Sequence, residues 1–120
     1  MPFKVCRFPQ FDTKLKEFSK KYPLSSIHIN TFINSLDNYY LKGVVYPGFA
    51  NFQVRKIRLA LKEYRISERK GLRLIYLVYP EKEMIVPLVI YKKGEVGSEK
   101  EVIAQIKHQL KKYLDTKNQM

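Results

Sequence analysis

The stretch Arg69–Lys93, RKGLRLIYLVYPEKEMIVPLVIYKK, carries cations at both ends, two apolar runs inside and a short acidic turn between them. LRLIYLVYP and EMIVPLVIYKK have the length and the β-branched and aromatic content of strands, and the EKE that separates them suits a hairpin turn. Antiparallel pairing brings the start of one strand and the end of its neighbour to the same sheet edge, so Arg73 and Lys92–Lys93 should converge. A slip of one residue would decide whether Lys92 or Lys93 turns toward Arg73. Pro87 lies inside the second strand and cannot donate to a ladder, so an unpaired N–H or a bulge is expected there.

Upstream, FQVRKIRLALK alternates with period two. Ile57, Leu59 and Leu61 fall on one face, and Lys56, Arg58 and Ala60 on the other, as in a half-buried strand with cations on its open side. A charged connector, EYRISERKG, joins it to the hairpin. Further upstream, GVVYPGFAN has the Gly and Pro punctuation of a loop.

The rest of the chain reads mainly as helices. In FDTKLKEFSKKYP, Phe11, Leu15, Phe18 and Tyr22 recur at helical spacing, with Asp12 or Thr13 as N-cap and Pro23 as the stop. SSIHINTFINSLDNYYLKG repeats the pattern through Ile29, Ile33, Leu36 and Tyr40, with Ser25 or Ser26 as cap and Gly43 past its end. The short PLS connection makes the two an antiparallel helical hairpin. SEKEVIAQIKHQLKKYLD combines a Ser98/Glu101 capping box with an apolar stripe of Val102, Ile103, Ile106, Leu110, Tyr113 and Leu114. FKVCRF at the start is a short first strand ended by Pro9. The expected fold is α+β, a single domain over residues 1–120. A mostly antiparallel four-stranded sheet carries helices packed on one face, in the order β-α-α-β-β-β-α.

At 120 residues the chain is long enough to bury roughly two-thirds of its unfolded surface. Its 45% apolar content fits a folded domain and not a disordered one. The lone Cys6 excludes an internal disulfide framework and a cysteine-based zinc site, and suits the cytoplasm. No segment approaches the roughly 20 apolar residues needed to span a bilayer, and the N-terminus lacks a plain secretion signal.

Charge is the strongest functional signal. Lys and Arg number 23 against 11 Asp and Glu, a net +12, and residues Arg55 to Lys93 alone hold 11 basic and 4 acidic side chains, or +7. Such a balance points to nucleic acid, to an acidic protein partner, or to both. If the helices cover one sheet face, Lys56, Arg58, Arg73 and Lys93 can gather on the other and hold phosphate oxygens, Arg as a bidentate fork and Lys as a point charge. Arg55, Arg69, Lys70 and Lys92 extend this set as backbone-binding cations. Two like charges about 6 Å apart at an effective dielectric near 20 repel by roughly 3 kcal/mol, so a crowded Lys is expected to lose about two pKa units and to serve as a general base. RNA supplies a reaction that needs little else: a base removes the 2′-OH proton, the oxygen attacks the adjacent phosphorus, and fixed cations stabilise the developing charge.

Other chemistries find little support. His28 and His108 lie in helical segments far in sequence from the cationic strands and read as flanking or capping a core stripe. There is no Gly-rich phosphate loop, no H-E-x-x-H and no nucleophile elbow, and the acidic residues are too scattered for a two-metal nuclease. No metal or cofactor is expected. Tyr76 and Tyr79 read as packing residues, whereas Tyr91, beside the cations, either packs on the sheet or stacks on a base.

VRKIRLAL, KGLRLIYLV and IVPLVIYKKGE, followed by a terminal amphipathic helix, resemble the RelE/ParE toxin superfamily, most closely its RelE and HigB-like members. The motifs cover about residues 50–114, with Gly71, Arg73 and Tyr76 as G-x-R-x-x-Y and Tyr91 and Lys93 as Y-x-K. The resemblance implies the toxin of a toxin–antitoxin pair, a ribosome-dependent mRNA endonuclease held inactive by an acidic antitoxin with which it forms a hetero-oligomer. It implies Arg73 as the arginine that stabilises the transition state, Lys56 and Arg58 as the paired basic residues of the preceding strand with Lys56 the likelier base, and Lys93 as the cation closing the last strand. The tyrosine that RelE members often carry beyond the last strand is missing from GEVGSEKE, and so is the HigB histidine, which leaves Tyr91 as the substitute. ParE-like members share this scaffold but poison DNA gyrase without cutting RNA, and a noncatalytic basic nucleic-acid-binding module is the remaining alternative.

Overall fold

Seven consecutive residues, Leu72 to Val78, are buried, which a strand achieves only when both of its faces are covered. This strand, β4 (Leu72–Tyr79), is the centre of a five-stranded sheet in the computed structural model, which describes residues 3–49 and 52–118. Around it lie β1 (Lys4–Val5), β2 (Val44–Val45), β3 (Gln53–Leu59) and β5 (Met84–Lys92), in the order β1-β5-β4-β3-β2. The helices are α1 (Pro9–Lys21), α2 (Ser26–Asn34) and α3 (Glu99–Asn118).

The α+β class holds, but the mostly antiparallel sheet expected with four strands is a mixed sheet of five. The additional strand is β2, which pairs Val44 with Lys56 and Val45 with Arg55 inside the segment read as a loop; residues 50 and 51 of that segment lie outside the described residues. β1 runs parallel to β5, with Lys4 opposite Met84 and Val5 opposite Ile85. Strands of two residues are too short to show alternation, so neither the pairing of β2 nor the direction of β1 had a periodic signal.

Helices also occupy both faces. Pairing sets Arg58, Arg73 and Tyr91 side by side, so Tyr76, three residues along β4, points the opposite way. The Tyr76 hydroxyl donates to the Tyr40 carbonyl (2.6 Å) in the segment after α2. On the Tyr91 side the first residue of α3, Glu99, accepts a hydrogen bond from the Tyr46 hydroxyl. The helical hairpin and α3 thus take opposite faces, which corrects the expectation of a single covered face. The core follows: Phe11, Leu15 and Phe18 of α1, Ile29 and Ile33 of α2, and Val102, Ile106 and Leu110 of α3 close over the strands.

Local signals account for most of the boundaries. α1 starts at Pro9 with Phe8 as N-cap, not at Asp12 or Thr13, because proline's fixed φ and missing N–H suit the first helical position. α2 ends at Asn34 and gives way to a 3-10 turn, Leu36–Asn38, so Gly43 ends no helix. Gly43 instead admits close packing: a Cβ there would collide with the Tyr76 hydroxyl and crowd the Lys56 carbonyl. At α3 the Glu101 N–H donates to Ser98 Oγ (3.3 Å), while the Glu101 carboxylate accepts from the Gly97 N–H (3.2 Å), a capping box shifted by one residue on its return arm. Near Pro87 the register shifts opposite Ile75 and Tyr76, leaving Leu88 as the extra residue of a bulge. The Leu88 carbonyl is taken by Gln109 Nε2 of α3 (3.2 Å).

Candidate nucleic-acid interface

The site rests on a turn. Glu68–Lys70 form one 3-10 turn before β4, and Gly71 follows because a Cβ there would run into the Leu59 and Ser67 carbonyls. Arg73 then reaches back beneath this turn. Its Nη1 donates to the carbonyls of Glu68 (2.9 Å) and Gly71 (3.2 Å), and its Nη2 donates to that of Arg69 (2.6 Å). The residue is only 3% exposed. Burial, and then the positive charge of Arg58, pull its pKa below the ordinary arginine value, while Tyr91 and Glu68 act in the opposite sense. Arg73 therefore spends three donors on the backbone and contributes positive field more than free hydrogen bonds.

Arg58 is directly opposite Arg73 on β3, and Tyr91 directly opposite on β5. Arg58 is exposed, and Lys56, two residues back along β3 on the same face, is half-buried with its ammonium 5.6 Å from the centre of the Tyr46 ring. Burial, and next the Glu99 charge, raise the Tyr91 phenol above its ordinary pKa, with Arg73 and Arg58 opposing the rise. The phenol is consequently protonated at neutral pH and available as a hydrogen-bond donor. Tyr46 is raised in the same way, by burial and by its hydrogen bond to Glu99. One face thus holds two outward cations, a buried third, a phenol donor and a carboxylate acceptor.

Lys93 does not join this row. Its N–H donates to the Gly71 carbonyl (2.9 Å), and its side chain shares a shallow depression of about 490 Å³ with Arg69, Lys70 and Lys92 at the end of the sheet. Four of the expected cations therefore form a rim beyond the row of Lys56, Arg58, Arg73 and Tyr91. Arg55 belongs to neither group. It faces the helical hairpin side, where its Nη1 donates to the carbonyls of Gly43 (2.6 Å) and Leu41 (3.3 Å) and its Nε to Gln53 Oε1 (2.7 Å), tying the β2 entry to β3.

Glu99 and Tyr46 went unnoticed in the sequence. They are 53 positions apart, and only the packing of α3 across the sheet unites them. Among the described residues there is no group of three or more His, Cys, Asp or Glu side chains able to hold a metal ion, and no helix long and apolar enough to cross a membrane. No protein-family model matches the sequence, and no curated protein matches it.

Proposed function

We propose that the protein is a RelE-like toxin that engages mRNA on the ribosome in the cytoplasm and cuts it by attack of a ribose 2′-OH on the neighbouring phosphate. What carries the reading is the cross-strand row Arg58–Arg73–Tyr91 beside the Tyr46–Glu99 pair, which collects phosphate-binding and proton-transfer groups on one face. Arg58 and Lys56 hold the phosphate. Glu99, oriented by Tyr46, takes the 2′-OH proton. The oxygen then attacks phosphorus, and the 5′-oxygen leaves with a proton donated by the Tyr91 phenol, which the proton held on Glu99 restores through solvent, giving a 2′,3′-cyclic phosphate and a 5′-OH. Lys56 serves here as a phosphate-binding cation, its ammonium lying over the Tyr46 ring. The net charge of +12 supports an acidic antitoxin as the partner that silences the protein.

The test is purified protein with ribosomes and a defined transcript. Codon-phased cuts ending in 2′,3′-cyclic phosphate, lost in Glu99→Gln while RNA binding persists, are expected. Transcripts that stay intact under conditions of tight binding would overturn the nuclease step. One observation favours a second reading, a noncatalytic basic RNA-binding module: the donors of Arg73 are engaged by its own turn. That reading expects binding that falls steeply with salt and no cleavage.

A further inference from the structure

Beside the cationic row, the outer edge of β3 opens into a groove of about 740 Å³. β2 pairs only with Arg55 and Lys56, so the edge beyond them is left without a partner strand. The groove is lined by Phe32, Tyr39, Lys42, Lys56, Arg58 and Glu68, among others. Phe32 and Tyr39 are both half-buried and stack nearly parallel, with ring centres 5.8 Å apart and planes 9° from each other. The Lys42 ammonium sits 5.6 Å from the centre of the Tyr39 ring. Three cations against one carboxylate leave the groove net positive.

Aromatic rings arranged as a platform, with cations along one side, are what single-stranded nucleic acid needs: a π-face for each base and positive charge tracking the backbone. We propose that this groove binds single-stranded RNA, with a base stacked on Tyr39 and the flanking phosphates on Lys42 and Arg58, as the strand passes over the β3 edge from the cationic face. The ring face now shadowed by Lys42 accepts the base, and the ammonium moves to a phosphate. Lys56 and Arg58 line both the groove and the cationic face, so the strand has a continuous path. The inference rests on the RNA reading of that face and shares Lys56 and Arg58 with it, but the residues it adds, Phe32, Tyr39 and Lys42, take no part in the chemistry.

The experiment compares a fluorescein-labelled 2′-O-methyl oligouridylate, which cannot be cleaved, with an abasic oligomer of equal length, by anisotropy on the full chain. Wild type should bind the base-bearing strand on the order of tenfold more tightly, the magnitude of one stacked base. Tyr39→Phe should keep that preference and Tyr39→Ala should erase it. Tyr39→Leu, which retains bulk without a π-face, should behave like the Ala variant and covers the case in which Ala fails to fold. Lys42→Ala should weaken both oligomers alike. A wild-type protein indifferent to bases, or a Tyr39→Leu variant that keeps the preference, overturns the proposal. Transcript cleavage is scored separately, so stacking without cutting refutes the nuclease alone, and cutting without stacking refutes the groove alone.

Discussion

Arg73 is where the sequence resemblance and the structure make opposite predictions about stability. A solvent-facing catalytic arginine can be truncated without harm to the fold, whereas a guanidinium clamped under a turn cannot. Its three acceptors are unequal. The Gly71 carbonyl also accepts the Lys93 N–H, so it stays satisfied when Arg73 is removed. The Glu68 carbonyl likewise keeps the Gly71 N–H (3.3 Å), so the Arg69 carbonyl alone loses its donor. That one hydrogen bond from a charged donor contributes roughly 1.5–3 kcal/mol. Against that, truncation relieves up to about 1 kcal/mol of like-charge opposition from Arg58 and removes a buried charge. The net expectation for Arg73→Ala is about 1.5 kcal/mol of lost stability, or roughly 6 °C in melting temperature for a domain near this size. Arg73→Met keeps most of the packed stem and isolates the polar part, and Arg73→Lys keeps charge without the fork and should recover less than half of the loss. Urea melts followed by circular dichroism give the measurement. If Arg73→Ala and Arg73→Met both melt with the wild-type midpoint, the clamp described here does not exist in solution.

The neighbouring cation should behave in the reverse way. Arg58→Ala is expected to leave the melting midpoint unchanged or slightly raised, because it removes a charge opposed to Arg73, while lowering the salt slope of RNA binding by about 1; an unchanged slope would take Arg58 off the phosphate path. Gly71→Ala should cost on the order of 2 kcal/mol by driving a methyl into the Leu59 and Ser67 carbonyls, and combined with Arg73→Ala it should cost less than the sum, since both break one turn; strict additivity in urea melts would separate them. The Glu63 carboxylate accepts from the Ser25 hydroxyl (2.6 Å), which chiefly holds its pKa below the ordinary 4.5. A depressed carboxylate stabilises the fold above its unfolded pKa, and that contribution disappears as pH falls below 4.5 through the folded value, so Glu63→Gln should flatten stability against pH in that acid window. A pH profile identical to wild type would show the tie to be without weight.

The elements that were legible before the structure are those with a long enough repeat. The stripe of α3 and the alternation of β3 each span several periods, and the cap at Ser98 and Glu101 is a local chemical signature. β1 and β2 have two residues each, and nothing in two residues separates strand from loop. The covered second face was legible in principle. LRLIYLV is a continuous apolar run, which belongs to a strand buried on both sides, and Arg73 inside it is the anomaly that marks a buried cation with internal partners. The partition of the cations could not be read at all, because it depends on whether Arg73 turns to solvent or to the carbonyls of its own turn. Glu99 was equally invisible, since its place beside Tyr91 comes from the crossing of α3 over the sheet.

The same geometry explains why Arg58 and Arg73, direct neighbours of one residue type, have different roles. β4 is central, so a guanidinium rooted in it is sealed from water and must find acceptors within the chain; the turn before it supplies them. β3 is flanked on its outer side by a strand of two residues that pairs only as far as Lys56, so Arg58 stays exposed, with donors open to the anion of the proposed reading. The brevity of β2 is thus what leaves the proposed binding surface at the β3 edge, where Val44 of β2 is itself 72% exposed. Extending β2 toward its start would pair Gly43 with Ile57 and Lys42 with Arg58, burying that surface and holding Lys42 in the strand while leaving the net charge unchanged. Loss of RNA binding in such a variant, with stability raised, would tie function to the missing strand and not to the charge count; undiminished binding would return the role to net charge alone.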